Sequence, residues 1–175
     1  MRKWFAVLSA AIVLVGGCSR NVEPEAVAEQ TRWDPCSITP EAIAATGLDP
    51  AYRDEGWGEG IVVEDWERCA FRPPGSDVLY VFSVKSSLEY SLDDLRQDPR
   101  NFEDHDVVLG DREAYQYRTK VAESAVTCNV GVDLPPGVVV FMANFMGDMT
   151  AETDPCAIVF AHASDLVYAL PAAAK

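Results

Sequence analysis

Positive charge is scarce in this chain: 14 lysines and arginines stand against 28 aspartates and glutamates, a formal net charge of −14. Such a balance repels phosphate backbones and bare anionic lipid, which excludes nucleic acid as a partner. Histidine occurs only twice, as His105 and His162. Zinc sites need close ligand pairs such as C-x-x-C, whereas Cys36, Cys69, Cys128 and Cys156 are 33, 59 and 28 residues apart. No G-x-S-x-G stretch occurs, so the nucleophile turn of an α/β-hydrolase is missing. No apolar run reaches the about 20 residues of a spanning helix. These gaps weigh against an enzyme, and they imply neither a cofactor nor a metal.

What the chain does have begins at its first residues. Arg2 and Lys3 precede an apolar run over Trp4–Val15, broken only by Ser9, and two small residues, Gly16 and Gly17, follow. This is the layout of a secretory signal. A plain signal needs no cysteine next, yet Cys18 stands there. Val15-Gly16-Gly17-Cys18 resembles the bacterial lipobox, whose cysteine becomes the acylated N-terminus, with valine where leucine is commoner. Plain secretion with a coincidental cysteine is the alternative. Acyl chains contribute about 0.8 kcal/mol per buried methylene, so two or three would hold the protein on a membrane. Residues 1–17 therefore read as a lipoprotein signal peptide and Cys18 as the lipidation site. Loss of Arg2 and Lys3 moves the net charge from −14 to −16. Residues 18–32 are polar, acidic and aperiodic, a tether. Residues 33–171 form a length suited to a single globular domain.

Within that domain the remaining four cysteines, an even number in an exported chain, read as two disulfides with three possible connectivities. Thr39-Pro40-Glu41 is a helix start, with a capping hydroxyl and a proline in the first turn, and Gly47 closes the helix. Strand-like segments follow at Ile61–Arg72, Val78–Ser86, Val107–Leu109, Glu113–Arg118, Ser124–Asp133 and Val138–Phe145, separated by turn chemistry. In "AVTCNVGVD" Val126, Cys128, Val130 and Val132 alternate with Thr127, Asn129, Gly131 and Asp133, which predicts one buried face and one wet face. Leu92–Arg96 suits a helical turn. Asp154 and Pro155 open a last helix whose stripe runs Cys156, Val159, Phe160, Ala163, Val167 and Leu170, with a slip at Val159/Phe160. The expected fold is α+β: an antiparallel sheet of five or six strands bracketed by an N-terminal and a C-terminal helix. "DPCSI" at 34–38 and "DPCAI" at 154–158 repeat one capping solution.

Candidate functional groups are few. Trp57, in the glycine-rich "EGWGEG", can serve as a binding residue or can tuck over the core edge. Trp66 faces the same choice, with burial favoured in a strand. His162 falls on the wet face of the last helix, three residues before Asp165. His105 sits between Asp104 and Asp106 in what reads as a solvated loop. Glu64 with Asp65, and Glu152 with Asp154, are adjacent in sequence, which says nothing about the few-ångström spacing of glycosidase carboxylates.

The lipobox, "DPCSITPEAIAATG", "WERCAF", "VLGDREAYQY" and cysteines 128 and 156 together resemble an actinobacterial lipoprotein family known as domain of unknown function 3558. In "WERCAF" the tryptophan precedes the cysteine, where that family carries an aromatic just after it; Phe71 fills that place. The resemblance implies an exported envelope domain held by disulfides and supplies no catalytic residues. We expect Cys36–Cys69 and Cys128–Cys156, each joining a "DPC" helix start to a core strand. The function expected is non-enzymatic: an acyl-anchored domain on the outer face of the cell membrane that binds an envelope protein or a small molecule. A cell-wall hydrolase or metal-dependent enzyme is the rival, and a lipid carrier with an apolar cavity is the third reading.

Overall fold

The computed structural model describes residues 31–122, 125–145 and 154–172. The signal segment, Cys18, Glu152 and most of the tether lie outside these. Among the described residues seven strands form one antiparallel sheet: β1 (Asp54–Glu55), β2 (Glu67–Phe71), β3 (Tyr80–Ser87), β4 (Asn101–Leu109), β5 (Arg112–Ala122), β6 (Ala125–Leu134) and β7 (Gly137–Phe145). Their order is β1-β2-β3-β7-β6-β5-β4. Three helices accompany them, α1 (Pro40–Ala45), α2 (Leu92–Gln97) and α3 (Pro155–Leu166).

All six expected strands are present, and the sheet exceeds the expected count through β1. That strand forms inside the glycine-rich segment, where Asp54 and Glu55 pair with Ala70 and Cys69. β4 is longer than its apolar part, Val107–Leu109, because the acidic "FEDHD" continues along β5 as the sheet's edge. Charged side chains suit an edge strand, since they discourage a further strand from pairing there. His105 therefore lies in an exposed strand, not in a loop.

The helix starts follow the local chemistry. Thr39 Oγ1 accepts from the Ala42 amide at 3.3 Å and Pro40 occupies the first turn, while Gly47 adopts φ +80° just past the helix. The two "DPC" stretches repeat one turn: the Asp34 carboxylate accepts from Cys36 N at 2.7 Å, and the Asp154 carboxylate from Cys156 N at 3.0 Å. The first opens only a 3₁₀ turn, Pro35–Ser37; the second opens α3.

The terminal helices do not bracket the sheet. Both pack on one face, where Ile38, Ile43 and Leu48 join Val159, Ala163 and Leu166 over Phe71, Phe82, Phe141, Val130 and Val132. The disulfides are Cys36–Cys69 and Cys128–Cys156, as expected, with Cα separations of 5.1 and 5.2 Å. Each fastens this helical layer to the sheet.

The opposite face has a different cover. β3 pairs with β7, so the chain must travel from mid-sheet to the far edge before β4 begins. That crossing carries α2, whose Leu92 and Leu95 pack on Tyr115, Tyr117, Val138 and Val140. Consequently β6 has no wet face between Thr127 and Val132: Thr127, Asn129 and Gly131 are buried together with Cys128 and Val130. Glycine at 131 makes room for the leucines of α2: a Cβ there would stand 2.5 Å from Leu95 Cδ1, and that side chain would have to shift.

Candidate ligand-binding groove

α2 covers only part of its face, and the uncovered remainder is a groove of about 270 Å³. Lys85 reaches it by strand parity: Phe82 and Val84 point to the core, so Ser83 and Lys85 point the other way. Its ammonium stands 5.3 Å from the centre of the Trp66 ring, a cation–π arrangement. Trp66 lies just before β2, partly buried, and stacks on Tyr90 with centroids 5.3 Å apart. The two rings make one wall. Leu95, Asp98, Arg100 and Tyr117 also line the groove.

The floor is polar, buried at Thr127 and Asn129 and half-buried at Asn101 and Thr119, and these groups bond to one another. Asn129 Nδ2 donates to Thr119 Oγ1 at 3.1 Å and to Thr127 Oγ1 at 3.3 Å. The Thr119 hydroxyl donates to Asn101 Oδ1 at 2.7 Å, and Asn101 Nδ2 donates to the Leu95 carbonyl at 2.8 Å. This relay ties β6, β5 and β4 to the last turn of α2 and so fixes the groove's width. Buried polar groups of this kind hold one arrangement, because each loses heavily if its partner leaves.

Charge is unevenly answered here. Arg100 grips Asp98 through two nitrogens, with Nε 3.0 Å from Oδ1 and Nη2 2.6 Å from Oδ2. That fork holds the Asp98 carboxyl below its usual range. Arg68, across from Lys85 on β2, reaches Asp54 at 3.3 Å, the Gly56 carbonyl at 2.5 Å and Ser83 Oγ at 3.2 Å. Lys85 has no carboxylate within 4.0 Å among the described residues. Burial, and secondarily the charge of Arg68, lower its pKa to about 8. Burial likewise pushes the Tyr117 hydroxyl well above the usual tyrosine range.

Trp57 occupies a neighbouring depression, of about 310 Å³, that shares Trp66 as a wall. Its indole N–H donates to the Trp66 carbonyl at 3.4 Å, and the Arg68 guanidinium lies 5.8 Å from its ring centre. Trp57 is half-buried and belongs to neither core cluster. Ile61 and Val62 beside it are 58% and 81% exposed, an apolar rim that continues the groove's surface.

The other sequence candidates do not converge on these depressions. His162 is buried, not on a wet face: α3 turns Cys156, Val159, His162, Ala163 and Leu166 inward at spacings of three and four. The slip at Val159/Phe160 hides this register, and polarity alone sends a histidine outward. Its Nε2 shares a 2.6 Å hydrogen bond with the Tyr80 hydroxyl, and its ring lies 4.9 Å from that of Phe82. Burial lowers its pKa, more than Asp165 raises it. Glu64 and Asp65 are both exposed on a turn, and Asp154 caps α3 while pairing with Arg118 at 3.5 Å. Among the described residues no three of His, Cys, Asp and Glu are grouped to hold a metal ion.

The model of a family described as a protein of unknown function, DUF3558, matches residues 13–168. The chain belongs to this family. No curated protein and no solved structure matches it. The DUF3558 match takes in both disulfides, both depressions and the segment around Cys18. For this DUF3558 chain the sequence reading missed Lys85, Asn129 and the hydroxyls around them as a site. One signal was available: in "YVFSVKSS" a lysine interrupts an otherwise apolar or small-residue strand. What covers the second face, and so makes that lysine half-buried, depends on the β3–β4 crossing.

Proposed function

We propose that this DUF3558 protein is a non-enzymatic receptor domain, anchored through lipid on Cys18 to the outer face of the cell membrane. The groove beside α2 receives a component of the envelope. The observation that supports this is the groove's construction: a braced polar floor, an aromatic wall and a cation without a counter-charge in one concavity. Ligand sites combine a shaped surface with a few placed polar groups in this way. Trp57 and the apolar rim at Ile61 and Val62 extend the contact surface toward the tether, since Arg32 lines the same depression and donates to the Glu64 carbonyl at 2.8 Å.

In-cell photo-crosslinking tests the reading. A photoreactive residue replaces Val121, exposed at the groove, and in a control replaces Tyr168, exposed beyond α3 on the opposite side of the sheet. Adducts of a discrete added mass from position 121, absent from position 168, are the expected result. Equal labelling at both positions, or none at 121, refutes it.

A further inference from the structure

We propose that the groove is an anion site with Lys85 as its counter-charge, taking a hydroxylated molecule of monosaccharide size that carries one carboxylate or phosphate group. This inference rests on the receptor reading of the groove. Of the three cations at or beside the groove, two are answered by protein: Arg100 by Asp98, and Arg68 by Asp54 with a backbone carbonyl. Lys85 is left over, and it stands cross-strand from Arg68, a like charge. Like charges directly opposite on neighbouring strands destabilise a sheet, and burial adds to the cost. An ammonium kept in such surroundings is stabilised when an anion enters.

The rest of the lining specifies the body that bears the anion. Asn101 and Thr119 are half-buried at the groove. The second N–H of Asn101 Nδ2 and the Thr127 O–H remain after the relay is made, which gives a hydroxylated ligand a few donors to meet. The stacked Trp66 and Tyr90 rings offer an apolar wall against which the C–H face of a saturated ring can lie. A volume of about 270 Å³ limits the bound part to one small ring. The domain's net negative charge opposes a polyanion, so a single anionic group fits best. The titratable groups facing Lys85 and its groove are Arg68 on β2, Tyr90 before α2, Asp98 and Arg100 after it, and Tyr117 on β5. Lys85 itself titrates near pH 8, and a bound anion draws that titration upward.

The test uses the full chain in detergent micelles with 13C-labelled lysine, whose ε-carbon signals are few because the sequence has only Lys3, Lys85, Lys120 and Lys175. The probes are glucuronate, glucose 1-phosphate, inorganic phosphate and neutral glucose. Glucuronate or glucose 1-phosphate should move the Lys85 signal saturably and raise its titration midpoint by about one pH unit, the shift that a tenfold preference for the ammonium produces. Neutral glucose should bind about tenfold more weakly or worse, and K85M and K85Q should each lower acid-sugar affinity about tenfold. Which acid sugar binds tells carboxylate from phosphate. If inorganic phosphate matches glucose 1-phosphate, the hydroxylated body is not recognised and that half of the proposal falls. If neutral glucose matches the acid sugars, or both variants bind them unchanged, the anion assignment falls while the groove stands. If no probe moves Lys85, the proposal fails, and crosslinking at position 121 reports separately on the groove.

Discussion

Replacing Lys85 by methionine should make the protein more stable, and the gain should depend on pH in a defined way. Unfolded, the lysine titrates near 10.5; folded, burial and Arg68 bring it to about 8. The gap of roughly 2.5 units, at 1.36 kcal/mol per unit, sets a cost near 3 kcal/mol for keeping the ammonium folded at neutral pH. Partial exposure screens some of this, so about 2–3 kcal/mol is the expected gain for K85M at pH 7. Methionine keeps the length and the contact with Trp66 without the charge. The sign follows from proton counting. Between pH 8 and 10.5 the unfolded chain holds a proton that the folded chain has released, so wild-type stability rises with pH across that window. The advantage of K85M is therefore full below about pH 8, shrinks above it and vanishes near pH 11. Urea unfolding followed by tryptophan fluorescence, on both proteins from pH 6 to 11, measures the difference, and other titrating groups cancel. A variant less stable than wild type at pH 7, or a difference that stays flat with pH, refutes the reasoning.

Cys18→Ala should abolish acylation, so that the protein leaves the detergent phase in a phase-separation assay; retention there would mean the cysteine carries no anchor. Trp57→Ala should weaken partner or ligand binding by about 2 kcal/mol or more with little change in melting temperature, as for an aromatic hot spot. A loss of roughly 3–5 kcal/mol of stability would instead make the indole a structural cap. His162 titrates lower folded than unfolded, so stability should fall as pH drops below about 6.5, where the unfolded chain takes a proton first. His162→Leu should flatten that slope in thermal melts between pH 5 and 7, and an unchanged slope would exclude His162 as its source.

The fold was legible where residues act on their near neighbours. Asp34 and Asp154 cap their own turns, Thr39 and Pro40 start α1, and the six apolar segments become strands because their periodicity or β-branched content requires no distant partner. The cysteine pairing was legible because each "DPC" turn needs a strand to join, and the sheet brings Cys69 and Cys128 beneath them. The placement of layers was not. Nothing local tells α1 and α3 to share a face, and the return of β7 to pair with β3 decides where α2 crosses. The same long-range event buries Asn129 and half-buries Lys85, residues that look solvated by type. His162 was misplaced for a related reason: the Tyr80 hydroxyl that satisfies it comes from a strand some eighty residues away.

The Cys36–Cys69 bond has a mechanical meaning. A pull on the N-terminal end enters the domain at Arg32 and reaches Cys36 within four residues. From there the covalent path jumps to Cys69, a route far shorter than the chain through α1 and the Trp57 loop. The load emerges in β2 and passes through its pairing with β3, the strand that carries Lys85. The covalent route from the tether toward the groove is therefore one sulfur bridge and one strand pair, and the Trp33 carbonyl, accepting from the Ser86 hydroxyl, adds a direct tie to β3.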